Sequence, residues 1–448
     1  MASDRAVFFQ PEYDSLLQGA VDNLDGFIEN IKCIKETFEY SEVNLRAQHS
    51  KVSLVYKEFI DSCEVSEVDG RRLLKVPEGR IRSFIGIKKR KARAERAFEL
   101  VPPSYFVSLV SAYDTFFAGL VRCFYTICPE KLLESEMEFH YRDLQQFSDL
   151  GDIKKRIVDK VIENLLRDSH VNQFEWLAKA LGVGTLESFS GWSDFVELTE
   201  RRNLFVHSSG TVSTQYITIC SRYSSLKEDI IEGNQLTVDK EYFESSFKVL
   251  YKIAVLLTQM LLRVKYTEKA GHEAPSRVDR VLINSVFELI VAGYYDVAID
   301  VSEIMLSNKR FVHTAFDKAY LVLNYAQACK WNGDFSKCKA ILHREDWTAL
   351  TNELLIPRYA LEENYDEVYK RMRQLGKGNE HITISSYREW PIFKGLREEK
   401  EFEVVFSEVF GEEVGVTLEV ELNQSSEKEY ALTAAPSKEV AQKDGIVK

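Results

Sequence analysis

The stretch Arg202-Asn203-Leu204-Phe205-Val206-His207 puts a permanent cation, a carboxamide and an imidazole within six residues. Each has a use beside a reacting anionic group. A guanidinium presents several fixed N–H donors to charged oxygens. An imidazole accepts or returns a proton near working pH, and the carboxamide of Asn203 can orient His207 or donate to the same oxygens. The surrounding GWSDFVELTERRNLFVHSSG, residues 191–210, predicts one helix carried by Trp192, Phe195, Val196, Leu198 and Phe205 and stopped by Ser208-Ser209-Gly210. At about 100° per residue, Asn203 lies about 40° from His207 and Glu200 about 20° from it, but Arg202 lies about 140° away. One straight helix therefore joins Arg202 to His207 awkwardly. Two copies facing each other make the more natural site, composite across a dimer.

Further residues are candidates for support. Glu200 can hold His207 or Arg202, and Asp114 interrupts an aromatic helix face where it can line a cleft. Arg201 rivals Arg202 as the functional cation, and Tyr216 is placed to stack on a base. Each also has a plain structural reading. A histidine in the last turn of a helix is favoured by the dipole alone. Arginines and glutamates cover surfaces, Asp114 can face solvent, and a tyrosine among apolar neighbours packs a core.

The elements that must position these residues are helical, and the predicted fold class is mainly all-α. With 448 residues, 45% hydrophobic and 12% aromatic, the chain can build more than one ordered core. Apolar residues recur at spacings of three and four over Tyr13–Phe38, over Tyr105–Tyr125, over 152–180 with a break near His170, and over 240–264. Pro102-Pro103 is expected to interrupt the chain, with Ser104 capping the helix that follows. The expected organisation is an accessory region over 1–95, a helical bundle over 96–268 and a linker over 269–277. Helical repeats follow over 278–412, then an acidic, partly disordered tail over 413–448. The repeats are read from Gly293-Tyr294-Tyr295, Gly333-Asp334-Phe335 and Asn364-Tyr365, where an aromatic follows a turn in each case.

Charge narrows the partners. A net charge of -12 argues against broad wrapping of nucleic acid. One local exception, residues 80–96, carries Lys88, Lys89, Arg90, Lys91 and Arg93 among other cations, and reads as a solvated helix face or an RNA-backbone contact. The seven cysteines show no CxxC spacing, no signal-peptide pattern opens the chain, and the apolar run 251–264 is too short for a bilayer. These features point to the cytoplasm and away from a membrane. Histidines are dispersed, and HExxH, GxxxxGK[ST] and Rossmann glycine patterns are missing, so no metal or cofactor is expected.

Arg202-Asn203 followed by His207 near a helix end, with Gly210 beyond it and an aromatic helix before it, resembles the Arg-polar…His motif of HEPN-domain ribonucleases. The long helices from about 104 to 264 are similar to that superfamily too, and the later repeats are TPR-like. The resemblance implies a homodimeric endoribonuclease that cuts RNA without a metal ion, as a toxin or an anti-phage defence effector. Arg202, Asn203 and His207 would be catalytic. The 2′-hydroxyl of RNA would attack the adjacent phosphate, leaving 2′,3′-cyclic phosphate and 5′-hydroxyl ends, a route closed to DNA. The basic stretch and the repeats lie outside the family core. A regulatory protein or the second subunit is the expected occupant of the repeats. The competing expectation is a non-catalytic dimeric helical adaptor built on a degenerate domain of this kind.

Overall fold

The computed structural model describes residues 11–415 apart from 69–70, 135–136, 185–189, 227–228, 310, 312, 378, 380–381 and 413. The expected tail over 413–448 therefore lies almost wholly outside the described residues. The fold is all-α, with one small antiparallel hairpin.

Helix α1 (Pro11–Asp61) runs to strand β1 (Glu64–Val68), which pairs with β2 (Arg71–Lys75), and α2 (Ile81–Ile127) returns along α1. Ring contacts fix the antiparallel register: Phe27 meets Phe116, Phe38 meets Tyr105, His49 meets Phe98 and Phe59 meets Phe84. Of the periodic apolar residues of α1, Leu24, Phe27, Ile28 and Ile31 are buried, and Leu17 and Val21 are partly buried. The expected break at Pro102-Pro103 does not occur. Both prolines sit inside α2. Proline removes a backbone donor and costs an interior helix about 3 kcal/mol, but here α1 holds the helix on both sides of the pair through Phe98 and Tyr105. Ser104, expected as a cap, instead donates its hydroxyl to the Leu100 carbonyl at 2.7 Å.

The one-turn helix α3 (Tyr141–Leu144) precedes α4 (Leu150–Arg167) and α5 (His170–Leu181). Asp149 and Ser169 cap these two helices by accepting from the backbone N–H of Asp152 and Asn172, which accounts for the expected break near His170. Gly182 ends α5 in the left-handed conformation. Helix α6 (Trp192–Ser208) carries the motif, α7 (Thr214–Arg222) follows, and α8 (Lys240–Leu261) is buried along most of its length. A π-helical turn over Leu262–Tyr266 and the short α9 (Thr267–Ala270) lead out of α8.

Next come α10 (Ala274–Val291) with α11 (Tyr295–Ser307), and α12 (Ala315–Trp331) with α13 (Phe335–His343). Then come α14 (Asn352–Glu362) with α15 (Tyr365–Leu375), and finally α16 (Ile384–Glu389) and α17 (Lys400–Phe410). The three aromatic-after-turn signals fall in the turns that join α10 to α11, α12 to α13 and α14 to α15. The chain divides into compact units over residues 1–348 and 349–448. One continuous core takes Leu24 and Phe27 from α1, Phe106 and Phe117 from α2, Leu250 and Leu257 from α8, and Leu282, Val301 and Leu321 from the paired helices. Expected borders at 95 and 269–277 thus run through a shared interior. Apolar periodicity reveals that a face is buried, not which neighbour buries it. The second unit has its own interior, including Leu361, Met372, Phe393 and Phe402.

Among the described residues, one segment, Glu78–Ile127, has a window long and apolar enough to cross a membrane. Half of that window is buried in the protein, and Phe106, Val110, Tyr113 and Phe117 within it are core residues.

Candidate functional site

Helix α6 has two polar faces, and the paired arginines divide between them. Phe195, Val196, Leu198 and Leu204 bury one side of the helix. Beyond its C-terminus the chain turns at Ser209 and Gly210, both with positive φ. At Gly210 the turn admits only glycine: a Cβ there would lie 2.6 Å from the Phe205 ring and 2.9 Å from Gln235 Nε2. The close turn lets Val212 N–H donate to the Asn234 carbonyl while the Val212 carbonyl accepts from Gly233 N–H around the helix end.

Arg202, Asn203 and His207 line one open cleft of about 620 Å³, together with Glu200 from the same helix. Asp114 of α2 and His170 at the start of α5 complete its polar wall. Although about 140° separates them on the helix, Arg202 and His207 both line this cleft. His207 is exposed in the last turn. Arg202 is partly buried; its Nη2 lies 3.4 Å from Asp114 Oδ2, and its Nη1 donates to Asn203 Oδ1 at 3.1 Å. Its Nε is buried without a partner. Each Nη carries two N–H groups and spends one on these contacts, so the guanidinium keeps donors for an incoming anion.

Asp114 faces the cleft, as its polar interruption of an aromatic face suggested, and its second oxygen lies 2.9 Å from His170 Nε2. Glu200 is buried beside the cleft and, among the described residues, no contact joins it to His207 or Arg202; burial pushes its carboxyl above the ordinary range, against the opposing influence of His170 and Asn203. His170 was missed by sequence reasoning. A lone histidine at a helix break carries no pattern of its own, and only the packing of α5 against α2 and α6 gives it a partner.

Two expected RNA contacts are corrected. Arg201 points away from the cleft and is buried. It pairs with Glu197 Oε1 at 2.7 Å, donates to the Thr237 carbonyl at 3.1 Å and lies 3.9 Å over the Tyr242 ring. Tyr216 is also buried, and its hydroxyl donates to the same Glu197 oxygen at 2.6 Å, so its ring is not free to stack on a base. Burial and this carboxylate raise the Tyr216 phenol. Tyr242 donates to the other Glu197 oxygen at 2.7 Å. A buried cation is tolerated here because its carboxylate partner is itself fully hydrogen-bonded.

The basic stretch is not gathered to the cleft. Lys88, Lys89, Arg90 and Arg93 are exposed on α2. Lys91 is partly engaged, pairing with Glu95 and lying 5.5 Å over the Tyr56 ring. Helical rise puts Arg90 about 36 Å along α2 from Asp114. Among the described residues, no group of three or more His, Cys, Asp or Glu side chains is placed to hold a metal ion. Comparison with protein-family models, with curated proteins and with solved structures finds no match to this chain.

Proposed function

We propose that the chain is an endoribonuclease whose catalytic groups are His207, Arg202 and Asn203. The observation that carries this reading is their convergence, with a partly unsatisfied guanidinium, on one solvent-open cleft. RNA brings its own nucleophile. His207 takes the 2′-hydroxyl proton as that oxygen attacks the neighbouring phosphorus. The bond to the 5′-oxygen breaks, that oxygen takes a proton from water in the cleft, and a 2′,3′-cyclic phosphate remains. Arg202 and Asn203 donate to the phosphoryl oxygens as their charge grows. Imidazole, guanidinium and substrate hydroxyl together meet the chemical need, so the reaction is proposed to proceed without a metal ion. A homodimer, a toxin or anti-phage role and a cytoplasmic setting follow from the resemblance to HEPN-domain ribonucleases and belong to the same proposal.

The purified protein is expected to cut an RNA oligonucleotide in excess EDTA and to leave the 2′-deoxy analogue intact. His207→Ala should lower the rate at least about 10²-fold while the circular dichroism and unfolding temperature stay at wild-type values. Equal cleavage by both proteins defeats the assignment. The Asp114–Arg202 pair favours a second reading, a catalytically silent helical adaptor, because a phosphate must compete with a carboxylate already in place. A stoichiometric partner whose binding survives both Arg202→Ala and His207→Ala, without RNA cleavage by wild type, supports that reading instead.

A further inference from the structure

We propose that His170 is a positioning residue of this cleft, holding the Asp114 carboxylate that in turn pairs with Arg202; its functional consequence rests on the ribonuclease reading. The contacts form a chain over three helices. His170 Nε2 meets Asp114 Oδ1 at 2.9 Å, and Asp114 Oδ2 meets Arg202 Nη2 at 3.4 Å. Arg202 Nη1 in turn donates to Asn203 Oδ1 at 3.1 Å, so the chain of contacts ends on the carboxamide of the motif.

The imidazole is suited to be the fixed point of this chain. Its side chain is only 7% exposed, against 23% for that of Arg202 and 22% for that of Asp114. The rings of Tyr113 and Phe195 flank it at centroid distances of 6.1 and 6.0 Å. Its backbone opens α5, whose start is pinned by the Ser169 cap. A partly exposed carboxylate such as Asp114 has freedom to turn, and the donor on its far oxygen removes that freedom. Without His170, Asp114 rotates toward the guanidinium or toward water, and Arg202 moves with it. Displacing a catalytic group by about 1 Å costs about 100-fold in rate.

Two readouts test this in the full chain. In the first, cleavage of a fluorescent RNA oligonucleotide is measured for wild type, His170→Ala and His170→Gln. His170→Ala should lose about 100-fold in kcat with KM changed less than about threefold. His170→Gln, whose amide can donate to Asp114, should recover most of the loss. Equal kcat in wild type and His170→Ala overturns the proposal. So does an equal loss in both variants when each unfolds at the wild-type temperature. Should the variants unfold early, the second readout decides. It is the ring ¹H–¹⁵N signal of His170 in histidine-labelled protein, assigned by its loss in His170→Gln and compared between wild type, Asp114→Asn and Arg202→Lys. The signal should move in both. If it stays in place in Arg202→Lys, the linkage is absent even in an active ribonuclease. If it moves while wild type cleaves no RNA, the linkage stands and the ribonuclease reading falls.

Discussion

Arg201 and Arg202 are neighbours of identical type, yet they belong to different parts of the molecule. Arg201 is enclosed by Glu197, Tyr242 and the Thr237 carbonyl, with Tyr216 and Tyr242 saturating its carboxylate partner. Arg202 keeps a long contact to Asp114, leaves its Nε without a partner and lines a cleft open to solvent. The difference is about 100° of helix rotation. One arginine is spent on joining α6 to α7 and α8; the other is left able to meet an anion. A functional group is recognisable by what its surroundings leave undone, not by its type.

The strongest way to break this contrast is Glu197→Ala, which strands a buried guanidinium. It should cost about 3–5 kcal/mol in urea unfolding, with any remaining folded protein keeping its cleft. Wild-type stability in that variant would remove the distinction between the two faces. Next comes Arg202→Ala. It should lower RNA cleavage about 10²–10³-fold and alter stability by less than about 1 kcal/mol, because its ion pair is partly solvated. A fall in stability without a fall in rate would put Arg202 on the same footing as Arg201.

A smaller effect separates the cleft from the basic face of α2. Replacing Lys88, Lys89, Arg90 and Arg93 together by Ala should flatten the salt dependence of RNA binding, by about 0.7 in the log–log slope for every phosphate that these cations neutralise. The rate at saturating RNA should not change. Binding titrations between low and moderate salt read the slope, and an unchanged slope makes that face merely solvated.

The smallest effect concerns Glu200, whose carboxyl is raised by burial. Between its ordinary value and the raised one, the folded chain keeps a proton that the unfolded chain has released. Stability therefore falls as pH climbs through that window and levels off above it. Glu200→Gln carries no such proton and should flatten the decline. Chemical denaturation at a series of pH values compares the two, and parallel profiles would assign the decline to other groups.

Much of the fold was legible. The stop at Ser208-Ser209-Gly210 and the turns before Tyr295, Phe335 and Tyr365 are local signals, and local hydrogen bonding obeys them. The Pro102-Pro103 break misled because α1, distant in sequence, holds α2 together across it. Asp114 was found because a charge on an aromatic face is conspicuous. His170 was not, because its meaning lies in a partner 56 residues away.

Residue order alone determined that the chain is helical, where the motif helix stops and where three later turns fall, and that a guanidinium, a carboxamide and an imidazole share the end of one helix. These follow from backbone bonding and side-chain periodicity within a few residues. Only the tertiary structure decided which arginine meets solvent, that Tyr216 is locked to a carboxylate, and that three helices bring Asp114 and His170 to the motif. Those outcomes depend on which face each neighbouring helix covers, and burial against a distant segment leaves no mark in the local sequence.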